Sequence, residues 1–112
     1  MNLMYALERL LDTGWTPGIG MELERLPDGR RYPSVLCVQR EFAQSGLELS
    51  IKQKLMFGCY RATWAPLGEP LDPIAETDDR HGTVIGDCPQ EAAVYALAQL
   101  RAAQADRHLA VV

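Results

Sequence analysis

The chain has 112 residues, enough for one domain spanning residues 1–112 and not two. Its composition, 47% apolar and 23% charged, is that of a folded globular protein rather than a disordered one. A net charge of -4 makes nucleic-acid or anionic-membrane binding an unfavourable expectation, because both rest on basic surface.

The first predicted element is a helix. Leu3, Ala6, Leu7, Leu10 and Leu11 recur at helical spacing, Asn2 is a suitable N-cap, and Gly14, reinforced by Pro17 and Gly18, is the stop. Met21 to Leu26 alternates as a half-buried strand, and Pro27-Asp28-Gly29-Arg30 is a turn. Tyr32 to Phe42, apolar on both faces at Val35–Val38, reads as a central strand that starts beside Pro33. Ala43-Gln44-Ser45-Gly46 then closes a second hairpin.

Leu47, Leu49, Ile51, Leu55 and Phe57 alternate with Glu48, Ser50, Lys52 and Lys54, which argues for a third strand. Leu47, Ile51 and Leu55 are also spaced by four, so a helix over 47–57 stays open as the alternative. Gly58 marks a bulge or bend, after which Tyr60, Ala62 and Trp64 continue one face. Residues 66–87, broken by Pro66, Gly68, Pro70, Pro73, Gly82 and Gly86, form a long connection with a short strand at Thr83–Ile85. The last element is an alanine-rich helix. Asp87 serves as its N-cap, Pro89 sits in the first turn, and Ala93, Ala96, Leu97, Leu100 and Ala103 form its apolar face. The expected class is α+β: an αβββα order, with a three-stranded antiparallel sheet and both helices packed on one of its faces.

That order resembles the fold of double-stranded RNA-binding domains. Gly82 to Leu100, a glycine-containing loop entering an alanine-rich helix, looks like the C-terminal part of that family. The family grips duplex phosphates with lysines at the start of the final helix. Here those places hold Pro89, Gln90, Glu91 and Ala92, so the resemblance implies the fold without the RNA site. Gly14-Trp15 and Glu91–Leu100 also resemble small αβββα sandwich proteins encoded by bacteriophages, a likeness that implies no activity.

No apolar run approaches the roughly 18 residues of a membrane span. Met1–Tyr5 lacks a basic segment, and Glu8, Arg9 and Asp12 interrupt the apolar stretch, so no signal peptide is expected. Cys37, Cys59 and Cys88, odd in number and widely spaced, fit a reducing cytoplasm better than a disulfide framework.

Three groups of residues are candidates for function. Lys52, Lys54, Met56, Tyr60 and Trp64 read as one mixed basic and aromatic strand face, suited to a protein interface or, less well, to stacked bases. Glu69, Asp72, Glu76, Asp78 and Asp79 form an acidic loop whose hard carboxylates suit a cation, although no EF-hand spacing is present and the ordinary reading is a solvated loop. His81 with Asp78, Asp79 and Cys88 has neither the ligand spacing of zinc nor a third group to orient a Cys–His pair, and Cys37 and Cys59 read as inward strand residues. No Walker loop, dinucleotide fingerprint, nucleophile elbow or HExxH motif occurs. The expectation is a non-enzymatic binding or adaptor module, of cytoplasmic or phage origin, without metal or cofactor. It would act through its sheet face or an edge strand on a protein partner or on its own copy. A homodimer is expected to pair the third strand near Phe57–Tyr60, keeping Lys52 and Lys54 away from their own copies. The alternative is a nucleic-acid-binding protein of the double-stranded-RNA-binding class.

Overall fold

Residues 3–54, 58–68 and 80–111 are described by a computed structural model of the chain. The first of them form helix α1, Leu3–Asp12, which buries Leu3, Ala6, Leu7 and Leu10 as the spacing predicts. Two short strands follow, β1 (Leu23–Arg25) and β2 (Arg31–Pro33), paired antiparallel with Glu24 opposite Tyr32. Their turn is held by Asp28, which accepts the Arg30 backbone N–H at 3.0 Å and pairs with its guanidinium at 2.9 Å. Those same contacts, led by the backbone hydrogen bond, hold the Asp28 carboxyl below its usual range. Arg30 also reaches Glu8 at 3.8 Å, tying the turn to α1.

The segment expected as a central strand is a helix, α2, Val35–Gln44. Ser34 is its N-cap, and its Oγ accepts the Cys37 N–H at 3.1 Å. Val35, Val38 and Phe42 share one face at helical spacing. Val38 and Phe42 are fully buried, while Cys37 turns toward the Gly20–Glu22 loop. A run apolar on both sides is therefore a helix with two packing surfaces, and Ser45-Gly46 joins helix to strand rather than strand to strand.

Leu47 to Lys54 is strand, β3, and the helical alternative for 47–54 is set aside; residues 55–57 lie outside the described residues. Beyond the bulge or bend expected at Gly58 the chain does not run on along the same face. It reverses there, with Gly58 at φ +60°, and returns as β4, Cys59–Pro66. β5, Gly82–Gly86, pairs on the other side of β4, giving a sheet in the order β3-β4-β5, all antiparallel.

The last helix, α3, spans Pro89–Val111. Its N-cap is Cys88, not Asp87. The Cys88 carbonyl accepts the Ala92 N–H at 3.1 Å and its Sγ takes the Glu91 N–H at 3.4 Å. The buried Glu91 carboxylate reaches back to the Asp87 N–H at 3.0 Å.

The domain is thus a small α+β unit with three helices and two antiparallel sheets, not αβββα around one sheet. α3 lies against the three-stranded sheet, and α2 packs on β3 and α3. α1 does not share that face. It packs on α3 instead, so α3 is buried nearly all round at Ala92, Ala93, Val94, Ala96, Leu97, Ala98 and Leu100. Its alanines let backbones approach closely. A Cβ on Gly86 would sit 2.6 Å from the Ala92 nitrogen, and one on Gly82 would sit 2.6 Å from Trp64 Cε2.

Candidate binding face

The β3–β4 register decides which side chains share a surface. Gln53 stands opposite Tyr60, Ile51 opposite Ala62 and Leu49 opposite Trp64, so odd residues of β3 share a face with even residues of β4. This inner face meets the helices. Leu47, Leu49, Ala62 and Trp64 are buried, and the Trp64 ring meets Phe42 edge-on at 5.4 Å between centroids.

The mixed basic and aromatic face expected from the sequence is therefore divided between two surfaces. Tyr60 and Trp64 belong to the core side, and Lys52 and Lys54 to the outer side. Met56 lies outside the described residues, as do Glu69, Asp72, Glu76, Asp78 and Asp79.

The outer face carries Glu48, Ser50, Lys52 and Lys54 from β3, Cys59, Arg61, Thr63 and Ala65 from β4, and Thr83 and Ile85 from β5. Thr63 and Ala65 are buried there, whereas the end of the face at Lys52, Lys54, Cys59 and Arg61 is exposed or half-buried. Lys52, Arg61 and Ile85 stand in one row across the three strands. Lys52 is exposed, Arg61 half-buried and Ile85 56% exposed. Two cations directly opposite each other in a sheet repel, and among the described residues neither is in an ion pair with a carboxylate. Lys54, two residues from Lys52, adds a third positive charge to the same end of the face. Arg61 was not among the residues singled out from the sequence. It becomes visible once the turn at Gly58 is recognised, because the register then sets it against Lys52.

The edge of the sheet has its own polarity. The Leu67 N–H donates to the Gly46 carbonyl at 3.0 Å, one step beyond the Leu47–Pro66 pair. Alternation along an antiparallel ladder then points the N–H and C=O groups of Leu47, Leu49, Ile51 and Gln53 away from β4. No strand pairs with β3 on that side among the described residues. The Gln39 side-chain amide donates to the Leu49 carbonyl there at 3.2 Å.

The cysteines and His81 stand in separate places. Cys37 is buried on α2, and burial pushes its thiol pKa up, away from the thiolate a nucleophile needs. Cys59 is an outer-face residue opposite Lys54, not an inward one. His81 precedes β5 and Cys88 follows it, so a strand of about 16 Å lies between them. Among the described residues no three Cys, His, Asp or Glu side chains gather as a metal site, and no helix is long and apolar enough to cross a membrane. An open groove of about 380 Å³ between α1 and α3 is lined by Arg9, Asp12, Thr13 and three alanines, and Arg101 beside it donates to the Thr13 hydroxyl at 2.9 Å.

No protein-family model, curated protein or solved structure matches the chain.

Proposed function

We propose that the protein is a non-enzymatic binding module whose outer sheet face takes an acidic segment of a protein partner. The observation that supports this most is the Lys52–Arg61 pair. Two opposed like charges, without a carboxylate partner among the described residues, repel each other and favour an external anion. In the adjoining row Ser50 and Thr83 supply hydroxyls on either side of the buried Thr63, while Ile85 supplies an exposed apolar contact at the end of the cationic row. A protein partner suits this surface better than a duplex does. The start of α3, where a double-stranded-RNA-binding domain places its lysines, has Glu91 and Ala92 buried, and the aromatics that would stack bases are turned into the core.

The test is a fluorescence titration of a poly-glutamate peptide at low salt. Binding is expected, with Arg61→Ala weakening it about tenfold, as the loss of a hydrogen bond to a charged group should. Absence of binding, or an Arg61→Ala protein that binds as well as the parent, overturns the proposal. Tighter binding of duplex RNA than of the peptide transfers the face to the nucleic-acid class.

A further inference from the structure

The β3 sequence, Leu47-Glu48-Leu49-Ser50-Ile51-Lys52-Gln53-Lys54, is complementary to itself when a second copy is laid antiparallel beside it about Ser50. In that register Leu49 faces Ile51 of the other copy, Leu47 faces Gln53, and Glu48 faces Lys52. The residues whose backbone groups turn away from β4 are the odd ones, and this register pairs odd with odd, as a hydrogen-bonded ladder requires. The charged residues then fall at the closely spaced, non-hydrogen-bonded positions, where cross-strand pairs interact most strongly. Neither lysine meets its own copy. Pairing about Phe57–Tyr60 is excluded for a single strand, because the chain reverses between Lys54 and Cys59.

We infer that two copies of this chain associate through the β3 edges in the register centred on Ser50, with Glu48 of each copy against Lys52 of the other. The result is a two-fold dimer with one continuous sheet of six strands. Exposed apolar surface beside the edge supports it. Leu36 and Gln39 are three apart and share a face of α2. Gln39 reaches the β3 edge, and Leu36 is 45% exposed. The inner-face side chains of an added strand, Leu49 and Ile51, would lie on the α2 side and cover it. The Gln39 amide guards the Leu49 carbonyl in the free chain and must release it to the incoming Ile51 N–H, so Gln39 opposes association. The inference shares Lys52 with the acidic-partner proposal, because Glu48 of the other copy would neutralise it, but the two are tested apart: that proposal is tested at Arg61, which the paired edges do not use.

Light scattering across a concentration series tests it. The parent is expected to approach twice 12.5 kDa. Glu48→Lys and Lys52→Glu are each expected to return the mass toward that of one chain, and the double exchange to restore the dimer. Gln39→Ala is expected to dimerise at lower concentration than the parent. Circular dichroism of each variant confirms that these surface changes leave the fold intact. A parent that keeps the mass of one chain at millimolar concentration overturns the inference. So does a double exchange that fails to recover association lost in the single variants, or a Gln39→Ala protein less dimeric than the parent.

Discussion

The two faces of the β3-β4-β5 sheet are built from the same strands and have opposite requirements. On the inner face Leu47, Leu49, Ala62 and Trp64 are closed off by helices, and glycine stands where anything larger would collide. On the outer face Lys52 opposes Arg61 without a neutralising carboxylate among the described residues. Shape is critical on one side and charge on the other. Stability should therefore be sensitive to substitution inside, while outside the chain tolerates, or gains from, changes that a binding role would not permit.

Substitution of Trp64 by alanine should have the largest effect, about 3–5 kcal/mol of unfolding free energy lost in urea titration. A value near that of a surface substitution would mean the inner face is not the core. Gly82→Ala is expected to lose about 1–3 kcal/mol in the same measurement, because its methyl group would run into the Trp64 ring. A neutral result would show that the ring can move.

Tyr32 provides a pH test on the buried side. Burial, and then the neighbouring Glu24 carboxylate, push its pKa up from 10.0 to about 12. A raised acid pKa stabilises the fold while the group is protonated, so its contribution is complete below pH 10.0 and is lost as pH rises toward about 12. The loss should reach about 1 kcal/mol near about pH 11. Tyr32→Phe should remove this part of the alkaline slope, and an unchanged slope would refute the assignment. On the outer face, Lys52→Glu should raise stability by about 0.2–1 kcal/mol at low salt and in dilute monomer, since it converts a repulsive pair into an attractive one. High salt should erase the gain. A loss of stability would mean that Lys52 already has a favourable partner.

The terminal helices and β3 were legible because their apolar residues repeat over many positions at one period. α2 was not, because Val35-Leu36-Cys37-Val38 looks like strand when read in isolation. Its signal was elsewhere, in Ser34 as a cap and in the Val35, Val38, Phe42 spacing. The candidate face was half legible. Lys52 and Lys54 could be placed on the outer side by alternation alone. Counting parity onward from Lys54 fails at a hairpin, where the register and not the sequence number decides the face. That single reversal moved Tyr60 and Trp64 inward and brought Arg61 out.

The enclosure of α3 also has a consequence for the order of assembly. Its burial between α1 and the sheet means that elements from the two ends of the sequence complete one another. A ribosome delivers α1, α2 and the sheet first; α2 can pack on β3, but α1 and most of the inner face have their main partner only when α3 emerges. Folding should therefore wait on the emergence of α3, with contacts of long sequence separation forming late. In the finished protein the α3 amides from Ala93 to Leu100 should be among the slowest to exchange with solvent.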